Sequence, residues 1–151
     1  MATLFLTGGR SKEVIMLKKD NFDFNEEEAI KSNAFLVRKM DVLKRTRKGK
    51  PIGTTRTFPI WNDDPLVKYL KNWLDKTEGH LFTTKNGIME RGNAFKVVRE
   101  AGKLLDRPLH INTMWFRKQR QYYLIQVKGF SVYDVQTCLK LRIVPKIFRT
   151  T

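Results

Sequence analysis

Three segments of this sequence carry the residue types best suited to chemistry on an anion. The first, LTGGRSKEVIMLKKDNFDF (residues 6–24), sets Arg10 behind a glycine pair, with Glu13 three residues later. The second, MWFRKQRQYYLIQVKGFSVYDVQTCL (residues 114–139), carries Arg117, Lys118 and Arg120 close together. Between them runs LKRTRKGKPIGTTRTFPI (residues 43–60), which holds Lys44, Arg45, Arg47, Lys48 and Lys50. A guanidinium offers a rigid fork of N–H donors that grips two oxygens of one phosphate; an ammonium is a mobile point charge that can also release a proton. Positions three apart on a helix are neighbours, so Glu13 is placed to orient Arg10. The plainer reading of Arg10 and Arg117 is a solvated arginine or one that only positions a phosphate. For the lysines it is an exposed basic hairpin that touches a nucleic-acid backbone.

The elements that position these residues follow from local pattern. Leu4 to Leu6, the break at Thr7-Gly8-Gly9, and then Val14, Ile15 and Leu17 predict a helix, a turn and a second short helix. Ala34 to Thr46 and Thr55 to Ile60 read as strands around the turn-prone Lys48-Gly49-Lys50-Pro51-Ile52-Gly53, which makes a basic β-hairpin. Asp64 and Pro65 predict a helix start, with Asp64 capping free amides and Leu66, Leu70, Trp73 and Leu74 as an apolar stripe to about Lys76. Asn86-Gly87 marks a turn. Asn93 is read as the cap of a helix carrying Phe95, Val98, Ala101 and Leu105, stopped by Arg107-Pro108. Asn112 caps the next helix, which ends at Lys128-Gly129, and Ser131 with Asp134 opens another that Pro145 limits. The expected fold class is α+β: mostly helical, with a small antiparallel sheet on one side, in a single domain over residues 1–151.

Composition narrows the partner. The 151 residues include 30 Lys plus Arg against 15 Asp plus Glu, a formal net charge of +15. Cations at this density release counterions condensed on nucleic acid, which predicts salt-sensitive binding to a polyanion. Hydrophobic residues at 41%, with aromatics from end to end, exclude a disordered chain. No apolar run reaches the ~20 residues of a membrane span, and no signal peptide opens the chain, so no membrane partner is expected. The single cysteine, Cys138, excludes an internal disulfide and reads as a core residue in a reducing compartment. His80 and His110 stand apart and make no metal site with it, so no metal and no cofactor are implied.

The two arginine segments, in this order, resemble the tyrosine recombinases of the phage-integrase type. The first looks like the family's first arginine box, with Thr7-Gly8 before Arg10 and Asp20 and Asp23 leading into the sheet. The second is similar to box two, where a His-x-x-Arg sequence opens a helix and Gly follows about one helix later; Arg117 falls on that arginine. Trp115-Phe116-Arg117 with Gln119-Arg120 resembles the archaeal-type integrases in particular. The hairpin ending Arg56-Thr57-Phe58-Pro59-Ile60 looks like the family's β-hairpin, and the likeness covers nearly the whole chain. The resemblance implies that Arg10 and Arg117 hold the non-bridging oxygens of a phosphodiester under attack. It also implies that a hairpin lysine, Lys44 or alternatively Lys48, protonates the leaving oxygen. Arg45, Arg47, Lys48, Lys50, Lys118 and Arg120 are then expected to contact duplex DNA, and the protein to sit on DNA in the cytoplasm.

The sequence departs from that pattern at three positions. Met114 stands at the box-two histidine and Leu141 at the second His or Trp, while the tyrosine position falls at or near Thr150, with Phe148 beside it. Neither residue offers a phenol, so the resemblance implies a degenerate nucleophile. Tyr69, Tyr122, Tyr123 and Tyr133 lie upstream in expected helices, where core packing explains them, with Tyr133 as the nearest substitute. His110 is read as a cap or packing residue rather than a replacement for the lost histidine. The chain looks trimmed at both ends relative to the family pattern. Three readings stay open at this point: a DNA-binding recombinase-like domain with little or no strand transfer alone; an active recombinase whose tyrosine is non-aligned or comes from another subunit; and a basic nucleic-acid-binding protein that is no enzyme. Further subunits on DNA fit the first two.

Overall fold

In the computed structural model, which describes residues 1–42, 54–106 and 110–140 (side chains of 54 and 137–140 aside), the glycine pair does what its position predicts. Helix α1 (Ala2–Thr7) ends at Gly8, whose φ of 61° is left-handed, and its N–H returns to the Leu4 carbonyl. Glycine adopts that conformation without a Cβ clash, so the chain turns sharply into α2 (Ser11–Ile15). A 3-10 turn (Lys19–Asn21) leads to β1 (Phe22–Asp23), and the short helix α3 (Glu27–Lys31) follows. Strands β2 (Ala34–Val42) and β3 (Thr54–Trp61) complete an antiparallel sheet in the order β1-β2-β3.

Sheet register decides which side chains face inward. Val37 pairs with Phe58 and Met40 with Arg56, and a bulge between Val37 and Met40 shifts the ladder. Lys39, inside the bulge, has φ 54° and donates its N–H to Thr57 Oγ1 at 3.2 Å. Arg56, Phe58 and Ile60 alternate along β3 and are all buried. The core joins this face to Leu4 and Leu6 of α1, Val14 of α2, Leu70 and Leu74 of α4 (Val67–Asp75), and Phe116 and Leu124 of α6 (Thr113–Gln126). A two-residue hairpin, β4 (Thr83–Thr84) and β5 (Gly87–Ile88), turns at Asn86-Gly87 before α5 (Arg91–Lys103). The last described helix, α7 (Val132–Lys140), packs on β3 and α6. The architecture is α+β, mostly helical with a small antiparallel sheet.

Local cap chemistry is visible at two helix starts. Asn112 Oδ1 accepts from the Trp115 N–H at 2.9 Å, and Ser131 Oγ accepts from the Asp134 N–H at 3.0 Å. Two other expected caps are corrected. Asn93 lies within the first turn of α5, whose N-cap position is Glu90. Asp64 does not cap α4: its Oδ2 turns back to the Trp61 N–H at 3.0 Å and meets Arg120. Leu66, at φ 68°, precedes the helix instead of lying in it. The expected stripe is therefore narrower, with Leu70 and Leu74 buried and Leu66 and Trp73 largely exposed. Among the described residues no helix is long and apolar enough to cross a membrane.

Candidate phosphate-binding site

The residues that matter most gather at the α1–α2 turn. Arg117, on the inward face of α6, is 6% exposed and donates from Nη1 to the Gly8 carbonyl at 2.8 Å. That carbonyl is one of the C-terminal groups of α1 that no helical N–H can reach. Two residues on, Arg10 holds an extended backbone at the N-cap of α2, and its side chain is 43% exposed. Glu13, only 2% exposed, accepts the Arg10 backbone N–H at 2.9 Å and places Oε2 3.8 Å from Arg10 Nη1. Glu13 does orient Arg10, as its spacing suggests, but through the cap of α2 and not across a shared helical face.

The electrostatics show that both guanidiniums occupy one neighbourhood. Burial lowers the pKa of Arg117, the Arg10 charge lowers it further, and Glu13 opposes both. An arginine stays charged under such a shift. Among the described residues Glu13 thus lies near both guanidiniums, and Arg10 holds its own at a half-open position that suits an oxyanion approaching from solvent.

Backbone packing around the turn is tight. A Cβ at Gly9 would come 2.5 Å from Met40 Cε and 3.0 Å from Val14 Cγ2, so a side chain there would have to push the end of Met40 aside. Thr7 closes the turn from within, donating from Oγ1 to the Thr3 carbonyl at 2.7 Å and accepting the Gly9 N–H at 3.2 Å.

The other expected site residues divide clearly. Lys118 and Met114 are exposed on α6. Lys44, Arg45, Arg47, Lys48, Lys50, Leu141 and Thr150 lie outside the described residues. Arg120 is a correction: at 2% exposure, with Nη2 2.9 Å from Asp64 Oδ2, it is committed to a buried ion pair and does not face a DNA surface. Its guanidinium also lies 5.5 Å from the rings of both Phe5 and Tyr123. The tyrosines are corrected as well, because Tyr69, Tyr122 and Tyr133 are exposed and only Tyr123 packs against the core. Burial, followed by the adjacent Asp64 carboxylate, pushes the Tyr123 phenol up to about 12. His110 is exposed and lines an open cleft of about 460 Å³ with Lys96, Arg99 and Asn112. Among the described residues no cluster of three His, Cys, Asp or Glu could hold a metal.

Arg56 enters the sequence reading only as part of the hairpin, with no role assigned to it. The signal that finds it is the period-2 face it shares with Phe58 and Ile60, both fully buried, which puts a charged residue where an apolar one belongs.

Solved structures share this arrangement of elements. XerA recombinase superposes with a TM-score of 0.64 at 19% identity, over 99% of this chain and 51% of that one. The chain has a recombinase fold. XerH site-specific recombinase bound to difH substrate, in a pre-cleavage complex, gives 0.61 at 17% identity over 99% of this chain and 41% of that one. The Tn1549 transposon integrase in complex with transposon right-end DNA gives 0.57 at 16%, over 97% and 51%. The chain thus spans about half the length, or less, of the proteins whose recombinase fold it shares. No protein-family model matches the sequence, and no curated protein does.

Proposed function

We propose that this chain is a recombinase-like domain that binds duplex DNA chiefly through its phosphates and has little or no strand-transfer activity of its own. The observation that carries the reading is the meeting of Arg10 and Arg117 at one turn, with the Glu13 carboxylate near both. An in-line displacement at phosphorus places negative charge on the non-bridging oxygens, and paired guanidiniums are suited to hold it. The formal charge of +15 supplies the long-range attraction. The XerH recombinase and the Tn1549 integrase were solved bound to difH substrate and to transposon right-end DNA, which supports the same partner here. Lys118, exposed on α6, is assigned a backbone contact, and Lys44 or Lys48, outside the described residues, is assigned the acid role the family resemblance implies. Such a protein works on DNA in the cytoplasm, alone or with further subunits, and requires no metal or cofactor. The archaeal integrases remain the type it resembles, through Trp115-Phe116-Arg117.

The weak or absent activity rests on the missing phenol. The family position falls at or near Thr150, and a threonine hydroxyl is shorter and far less acidic. Tyr123 is no replacement, since a phenol pushed up to about 12 is a poorer source of phenolate than a free one. The deciding experiment incubates the protein with a duplex carrying a suicide nick and looks for a covalent adduct on a denaturing gel. Retention of duplex with no adduct is expected. An adduct would mean a non-aligned or trans tyrosine is at work. Preference for an RNA hairpin over duplex at matched salt would leave only a basic nucleic-acid binder.

A further inference from the structure

We infer that Arg56 is a positioning residue for the Arg10–Arg117 pair, holding from the sheet side the turn that Arg117 holds from the helix side. The inference rests on the phosphate-binding reading of that pair.

Successive residues of the turn are each located by a different element. The Thr7 carbonyl accepts from Arg56 Nη2 at 2.8 Å, and the Gly8 carbonyl accepts from Arg117 Nη1 at 2.8 Å. Gly9 abuts Met40, and the Arg10 N–H is taken by Glu13. The Thr7 and Gly8 carbonyls both lie at the C-terminal end of α1, where backbone acceptors lack helical partners. Two buried guanidiniums, one from β3 and one from α6, thus grip adjacent peptide groups immediately before Arg10.

Arg56 also governs the third contact. Its Nη2 lies 3.7 Å from Met40 Sδ, and Met40 Cε is the atom that a side chain at position 9 would strike. The guanidinium carbon sits 4.2 Å from the Phe58 ring centroid, so cation–π attraction fixes the group along its own strand. With 2% exposure, Arg56 cannot itself reach a phosphate. Its influence on an anion must pass through Thr7, Gly9 and the arginine that follows. Lysine in its place keeps the charge but lacks the planar fork that serves the carbonyl, the sulfur and the ring together.

The test measures affinity for a roughly 30-base-pair duplex across a salt series, because each phosphate contact contributes about 0.9 to the log–log slope. The full chain is compared with Arg56→Lys, Arg117→Ala, the double variant, and Leu70→Ala as a destabilised control in the core outside the turn. Arg56→Lys is expected to bind about three- to tenfold more weakly with a slope lower by about one. The double variant should lose about one more unit of slope than Arg117→Ala, because Arg56 acts through Arg10, and the slope of Leu70→Ala should be unchanged. A wild-type slope in Arg56→Lys alongside a reduced one in Arg117→Ala would overturn the positioning role while leaving the phosphate site standing. A wild-type slope in Arg117→Ala would remove the site and the inference together. If Arg56→Lys does not fold, Met40→Leu reads the same arm: it keeps the volume but removes the sulfur. A lowered slope supports the role, and an unchanged one overturns it.

Discussion

Helix α6 sends two arginines inward one turn apart, and they meet opposite surroundings. Arg120 enters a neutral cluster: Asp64 lies 2.9 Å from it, and Lys128 in turn lies 2.9 Å from Asp63. Two cations face two carboxylates there, so the charges of these four residues balance. Arg117 enters a cationic neighbourhood, with Arg10 nearby and Arg56 on the adjacent Thr7 carbonyl, and it is anchored to a backbone carbonyl that neutralises nothing. The comparison teaches that burial alone does not separate a structural arginine from a functional one. On the proposed function, what separates the two is whether the anchor is a carboxylate or a peptide oxygen.

The comparison breaks most visibly at Asp64. Asp64→Ala leaves the Arg120 guanidinium buried without its carboxylate and should cost about 3–5 kcal/mol of stability, measured by denaturant unfolding. Asp64→Leu combined with Arg120→Met should recover most of that loss, since an apolar pair of similar volume needs no charge partner. Arg117→Ala should lose less, about 2 kcal/mol, because it removes a charge-assisted bond to a carbonyl without orphaning an ion. Its larger effect should be on DNA, where the salt slope falls by about 0.9. Equal stability losses from the two substitutions, with no difference in DNA slope, would erase the distinction between the clusters.

A pH scan sharpens the neutral side. The Tyr123 phenol, pushed up to about 12, holds its proton more tightly in the folded than in the unfolded chain, where about 10 is usual. The stability linked to this group is intact below pH 10 and declines as pH rises from about 10 to about 12. Tyr123→Phe should flatten that window of a thermal unfolding profile relative to the wild type. The smallest effect is expected at the surface. The Arg38 hydrogen bond holds the Asp23 carboxyl below the usual carboxylate range, so its contribution is present above pH 4 and lost as pH falls through the lowered value. Because Arg38 is 41% exposed, Arg38→Ala should cost no more than about 1 kcal/mol at neutral pH in the same unfolding assay.

Much of the fold was legible because it is written in short-range chemistry. The glycine turn after Thr7, the Asn112 cap and the Ser131 cap each depend on a side chain and a backbone group within three or four residues. Asp64 misled for the same reason. As a sequence feature it reads as a cap beside Pro65, and the partner that claims it, Arg120, is 56 residues away. Helix α3, five residues of EEAIK, lacks the apolar repeat that would announce it. Of the site, Arg10 and Arg117 could be paired only through family resemblance. Arg56 was open to a strand-period argument, whereas the Thr7 carbonyl it serves could not have been guessed from spacing.

The hydrogen bond from Arg117 to Gly8 also bears on how the chain is made. It joins residues 109 apart, against 49 for Arg56 and Thr7, and closing the longer loop costs only about 0.7 kcal/mol more entropy. The difference is therefore one of timing, because a chain leaving the ribosome can seat Arg56 under the turn long before α6 exists. Arg10 waits, half-exposed and already braced, for the second guanidinium to arrive. On the proposed function, phosphate binding at this turn is thus a late event in the life of each nascent chain, and a chain stalled ahead of Thr113 would carry basic charge without the second guanidinium.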